Sequence, residues 1–184
     1  MQRILSLFML SALLFATPFA FAFATKNTTV SLGYAQTHMG ALKNSASNDL
    51  RGLSVRLRYE SSAVSNANWG LLASYTVTTR DITNYRWEDG KLHKENNDTV
   101  RYGSFMMGPT YRVNNFLSLY GNIGGAAMKI KHKERASESE TSFAYGAGFI
   151  MEPFTNLSLD FSWEASKFDF ANTNTFGMGI GYRF

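Results

Sequence analysis

Large apolar residues recur at every second position in eight stretches of this chain, with small or polar residues between them. The pattern is cleanest at the end. There Phe176, Met178, Ile180, Tyr182 and Phe184 alternate with Gly177, Gly179, Gly181 and Arg183. A period of two is that of a strand with one apolar face. The same alternation predicts strands over 28–37, 50–60, 69–80, 99–112, 117–131, 142–151, 157–167 and 174–184. In the second, Leu53, Val55, Leu57 and Tyr59 oppose Ser54, Arg56, Arg58 and Glu60. In the seventh, Leu157, Leu159, Phe161 and Trp163 oppose Ser158, Asp160, Ser162 and Glu164. Pro109 lacks a backbone donor, which places it near a strand end or at a bulge.

The connections sort by length. Residues 38–49, 81–98 and 132–141 are long and polar, residues 61–68, 113–116 and 152–156 are short, and 168–173 is intermediate. Long and short alternate, so the long ones collect at one end of an up-and-down sheet. A soluble antiparallel barrel is the competing reading of such strands. It has no reason to sort its connections this way, and an apolar terminal strand would give a soluble sheet a sticky edge. The expected fold is all-β: an eight-stranded antiparallel up-and-down transmembrane β-barrel with its apolar face toward lipid. An even strand number puts both termini at the short-turn end.

Composition agrees. At 184 residues the chain is long enough for one domain. Its mean hydropathy of -0.19 is too low for a helical membrane protein, whereas a barrel turns half of every strand inward. The chain has no Cys, which excludes a disulfide framework and any thiolate metal site. The net charge of +4 is spread along the chain, without the massed basic stripe that nucleic acid needs.

Residues 1–24 read as a cleaved secretory signal peptide. Arg3 supplies the positive start, an apolar run follows over 4–16, and small residues end it. Ala22-Phe23-Ala24 places cleavage after Ala24, and Ala20-Phe21-Ala22 gives cleavage after Ala22 as the alternative. A membrane anchor is the other reading, but the run is short for a spanning helix and Pro18 interrupts its end. The barrel then occupies residues 25–184 and carries one positive charge fewer.

With Leu53 and its partners toward lipid, Arg56, Arg58, Glu60, Asp160, Glu164 and Arg183 point inward. Side chains can fill the interior of an eight-stranded barrel, so the expectation is an internal salt-bridge network and no channel. Catalysis by Asp160 and Glu164, flanking Ser162, is the alternative; a filled lumen would exclude a substrate. His38, His93 and His132 fall in three separate connections with no nucleophile at a telling spacing. HExxH, GxSxG and phosphate-loop motifs are absent. No catalytic residue, metal or cofactor is predicted, and the protein is read as a non-enzyme.

Two connections carry candidate binding chemistry. Residues 81–98 hold Tyr85, Arg86 and Trp87 with Lys91 and Lys94, and aromatics with Arg are the usual anchors of protein interfaces. Lys131, His132, Lys133 and Arg135 form a basic cluster suited to acidic host glycans, lipopolysaccharide phosphates or protein carboxylates. The plainer alternatives are aromatics packed on the barrel rim and a solvated basic loop paired with lipopolysaccharide.

The chain resembles the Ail/Lom/OmpX family of enterobacterial outer-membrane proteins. The resemblance rests on Gly33-Tyr34-Ala35-Gln36, Arg58-Tyr59-Glu60, Met107-Gly108-Pro109 and Tyr111-Arg112-Val113-Asn114. It continues through Leu119-Tyr120-Gly121, residues 142–148, Leu159-Asp160-Phe161-Ser162 and residues 179–184. Phe176, Met178, Ile180, Tyr182 and the terminal Phe184 also resemble the signal by which bacterial barrels engage the barrel-assembly machinery. The family implies an eight-stranded outer-membrane barrel with four extracellular loops. It implies roles in host-cell adhesion, invasion and resistance to complement. Implied partners are outer-membrane lipid and lipopolysaccharide, host matrix proteins such as fibronectin and laminin, and complement regulators, with the protein itself a monomer. The matching motifs lie on strands and short turns, so the family fixes the fold better than the ligand. A structural or stress-related barrel without a host ligand is the second reading, and a barrel enzyme, an acyltransferase or protease, the third.

Overall fold

Alternating chains of this kind have one apolar face to bury and a row of backbone groups to pair, and closure of the sheet satisfies both. The computed structural model describes residues 27–40, 49–60, 68–88, 91–131, 138–169 and 171–184. The signal-peptide reading of residues 1–24 lies outside them. Eight strands follow in order: β1 Thr28–Met39, β2 Asp49–Glu60, β3 Trp69–Glu88, β4 Lys91–Arg112, β5 Leu117–Lys131, β6 Glu138–Phe154, β7 Leu157–Lys167 and β8 Asn172–Arg183. Each pairs antiparallel with its sequence neighbours, and β8 pairs back onto β1, so the barrel is closed.

The strands are staggered. A row of Cα partners beginning at Ala147 on β6 crosses Trp163, Phe176 and Gln36. It continues through Arg51, Thr79, Arg101 and Lys129, and returns to β6 at Ser139. The offset between residues 139 and 147 is eight, the shear of a narrow eight-stranded barrel whose strands tilt by roughly 35–45°. Rows therefore climb toward the loop end as they circle.

The outer wall is apolar. Leu32, Leu53, Ile123, Met178 and Ile180 are all more than half exposed, which only a hydrocarbon surround makes favourable. Aromatics mark the turn end of this belt: Trp69 stands 5.0 Å from Tyr111 across β3 and β4, and on the far side of β1 and β2 Tyr182 meets Phe184 edge-on at 4.9 Å. The inner wall is small and polar, and closeness explains its glycines. A Cβ on Gly177 would stand 2.7 Å from Arg56 Nη2, so β8 must be bare where that guanidinium crosses the lumen. Pro109 lies three residues before the end of β4, where Gly108 and Pro109 interrupt the β4–β5 pairs.

Three connections differ from the sequence reading by more than two residues at one end; in 132–141, β6 begins at Glu138 and pairs with β5 from there. Residues 81–98 are not a polar loop. β3 runs to Glu88 and β4 begins at Lys91, joined by pairs from Asp81↔Thr99 to Glu88↔Lys91, with a register shift at Asn84/Tyr85. Thr83, Tyr85 and Trp87 suit a strand, and the sequence between the two strands is Asp89-Gly90, a hairpin dipeptide. Likewise β6 continues through Glu152 to Phe154 and places Glu152 inside the barrel instead of in a turn.

Candidate functional site

The lumen is built in layers. At the turn end, Arg58, Arg112 and Arg183 surround Glu60 and Glu152. Arg112 Nη2 lies 2.7 Å from Glu60 Oε1 and 2.7 Å from Glu152 Oε2. Arg183 reaches the same two carboxylates at 2.6 and 2.7 Å. Arg58, 1% exposed, pairs with Glu152 and stands 3.4 Å from Glu60. Above this layer Leu72, Tyr120 and Ile150 pack together. Arg56 then meets Asp160 at 3.1 Å, and Tyr120 donates to the same carboxylate at 3.1 Å. Arg56 also bonds Ser162. Glu164 accepts from Tyr102. The four arginines and the four carboxylates Glu60, Glu152, Asp160 and Glu164 balance in charge, as a low-dielectric interior requires.

Six of these residues are in the inward set read from the alternation. Arg112 and Glu152 are not, although Arg112 bonds both carboxylates of the turn-end layer and Glu152 accepts from all three of its arginines. Tyr102 and Tyr120 are also missing from it. The strand period was the available signal: Arg112 shares parity with inward Tyr102, Met106 and Thr110, and Glu152 with Ala144 and Ile150.

An apolar cluster closes the loop end of the lumen. Met39, Leu50, Val100, Tyr102, Met106, Met128 and Phe168 come from four strands and the start of the last connection. Asp160 and Glu164 lie below it and are almost fully buried, each already bonded, so nothing approaches them from solution.

The outer surface at the loop end is where the chain meets its surroundings. Beyond Arg51↔Thr79 and Thr99↔Lys131, β3 and β4 pair with no other strand among the described residues. Among the described residues they form a two-stranded ribbon whose outer edges pair with no third strand. Seven residues of β3, 82–88, reach beyond the barrel sheet, roughly 23 Å at 3.3 Å per residue. Tyr85, Arg86 and Trp87 lie on its β3 strand, Lys91 and Lys94 on its β4 strand, and Tyr85 is registered with Lys94. Lys131 ends β5, opposite Thr99. His132, Lys133 and Arg135 lie outside the described residues. Below the ribbon, the climbing row turns outward-facing Arg51, Arg101 and Lys129 to the rim, with Arg101 and Lys129 directly paired. The eight-stranded wall, apolar belt, turn-end aromatics and filled lumen define a membrane-spanning outer-membrane barrel.

Residues 6–184 match the family model described as outer membrane protein beta-barrel domain. The attachment invasion locus protein of Yersinia enterocolitica is 37% identical over 165 residues, covering 88% of each chain. Outer membrane protein X of Enterobacter cloacae is 34% identical over 190 residues and covers both chains fully. The crystal structure of Ail, the attachment invasion locus protein of Yersinia pestis, in complex with the heparin analogue sucrose octasulfate, superposes with a TM-score of 0.73. It shares 33% identity, covering 87% of this chain and all of that one. The chain belongs to the Ail/Lom/OmpX family of outer-membrane β-barrel proteins. It resides in the bacterial outer membrane with its long connections outside the cell, and its relatives include virulence and attachment proteins.

Proposed function

We propose that this protein is a surface adhesin that also confers resistance to complement, acting through its extracellular ribbon and loops and not as an enzyme. The observation that carries the reading is the β3–β4 ribbon, whose outer edges pair with no other strand among the described residues. Unpaired strand edges bind extended segments of other proteins by adding a strand. Tyr85, Arg86 and Trp87 supply the residue types that anchor such contacts. Matrix proteins such as fibronectin or laminin, or complement regulators, are the partners it would take.

The rim cations Arg51, Arg101 and Lys129, with Lys131, His132, Lys133 and Arg135 in sequence beside them, suit a polyanion. The Yersinia pestis relative was solved with a heparin analogue, which supports sulfated glycan or lipopolysaccharide phosphate as the ligand here. The barrel would leave the assembly machinery as a monomer, with residues 1–24 removed and Phe176, Met178, Ile180, Tyr182 and Phe184 serving as the assembly signal.

The test is expression in a laboratory strain lacking the protein, followed by adherence to epithelial cells and survival in normal serum. Deletion of residues 82–97 should abolish the gain while heat-modifiable folding survives. Adherence unchanged by the deletion sinks the ribbon's role. No gain from the folded intact protein favours the second reading, a structural barrel, which the self-sufficient lumen network supports.

A further inference from the structure

Arg58 makes all its contacts through one nitrogen. Nη2 meets Glu152, Thr29 at 3.2 Å and Glu60 at 3.4 Å. Nε and Nη1 find no partner among the described residues, although the residue is 1% exposed. Ser158 Oγ and Asp160 Oδ2, both on β7, are orphaned in the same way. These groups share one side of the lumen. Arg58 crosses from β2 to Glu152 on β6, and Glu152 lies two residues beyond Ile150, the registered partner of Asp160. On one flank of the crossing stand Leu72 and Ile150, whose side chains offer no acceptor. On the other flank, β1, β8 and β7 carry two rungs, Ser31–Gly181–Ser158 and Gly33–Gly179–Asp160. The middle of each rung is bare glycine. The Ser31 and Ser158 hydroxyls lean over Gly181 so closely that a Cβ there would collide with both.

We propose that a file of two buried waters runs along these rungs from Arg58 to Asp160. Buried polar groups need partners, and a water that supplies them makes about three hydrogen bonds. Charge selects the occupant. The four arginines and four carboxylates of the lumen already balance. An anion beside Arg58 would face the Asp160 carboxylate, and a cation beside Asp160 would face the Arg58 guanidinium. A neutral molecule that both donates and accepts fits both ends. The donors and acceptors also set a direction. The first water accepts from Arg58 and donates to Ser158 Oγ. The Ser158 hydroxyl donates to the second, which donates to Asp160 Oδ2. Ser158 and Asp160 stand about 6.6 Å apart along β7 at 3.3 Å per residue, too far for a direct bond and within reach of one water. Arg58, Ser158 and Asp160 are each at most 1% exposed, so these waters exchange only when the wall opens. The inference does not depend on the adhesive reading.

A crystal structure of the folded barrel, at a resolution that shows ordered solvent, tests this. It should place one water between Arg58 and Ser158 and a second between Ser158 and Asp160 Oδ2. A direct bond from Arg58 to Ser158 or Asp160, with no solvent between, overturns the file. An anomalous peak at the site after a bromide soak overturns water as its occupant. Oxygen-17 relaxation dispersion of the barrel folded in micelles supplies a second reading, the count of slowly exchanging waters. Ser158→Ala, which removes the relay, should lower the count by at least one. Ser158→Val, which also fills the space, should lower it by two. Thr37→Val should leave it unchanged, because that hydroxyl is already bonded to Thr78 and Thr175. Heat-modifiable mobility establishes that each variant is folded. A count in Ser158→Val equal to that of the wild type overturns the site.

Discussion

Arg183, the penultimate residue, places Nη2 2.6 Å from Glu60 Oε2 on β2 and Nη1 2.7 Å from Glu152 Oε2 on β6. The last strand made is thereby tied across the lumen to two strands it does not adjoin. Arg183→Ala should lower unfolding stability by on the order of 2–3 kcal/mol, less than a lone buried pair because Arg112 still holds both carboxylates. Arg183→Lys should fall between, since one ammonium cannot span both acids as a guanidinium fork does. Urea midpoints in phospholipid vesicles read the difference. A variant as stable as the wild type would deny the tie.

Arg56 and Asp160 are 5% and 0% exposed, and each is the other's ionic partner. Arg56→Ala leaves a carboxylate buried without its cation and should cost about 3–5 kcal/mol. The double variant Arg56→Ala, Asp160→Asn should recover part of that loss, because it removes the orphaned charge as well. A double-mutant cycle in the same vesicles measures the coupling, and strictly additive losses would contradict it.

The lumen combines a paired ionic layer with an apolar closure at the loop end. Planar bilayers containing the folded protein should show no stable open conductance. Discrete steps of long lifetime would mean that the interior layers part, and would overturn the filled-lumen reading.

Ribbon-edge binding makes a directional prediction. Neighbouring residues of a strand point their N–H groups to opposite sides. Of Ile82→Pro and Thr83→Pro, one removes a donor within the ribbon and the other a donor on its open edge. If partners add a strand, the edge variant should lose most adherence in the epithelial-cell assay without disturbing heat-modifiable mobility. Full adherence in both would point to side-chain contacts alone.

How much of this was legible in the chain differs by region. The belt strands declare themselves because lipid on one side and a packed lumen on the other force a strict alternation, as in 174–184. The ribbon does not, because its sequence carries no recurring apolar side; only Tyr85, Trp87 and Asp89-Gly90 hint at it. Glu152 was hidden by Pro153 beside it, which reads as a turn although the β6 parity continues. Tyr102 and Tyr120 have the look of interfacial rings by residue type, and only their even positions within β4 and β5 place them inside. His132, Lys133 and Arg135 remain a sequence expectation.

The ribbon is also a mechanical element. Its two strands are continuous with β3 and β4 of the wall, with no hinge loop between reach and barrel. A pull on a partner held at the ribbon runs down both strands into the closed sheet. There the ladder bonds lie across the direction of force and must yield together, in shear, instead of opening one after another. A bacterium tethered this way would resist detachment by flow with the strength of the whole barrel wall.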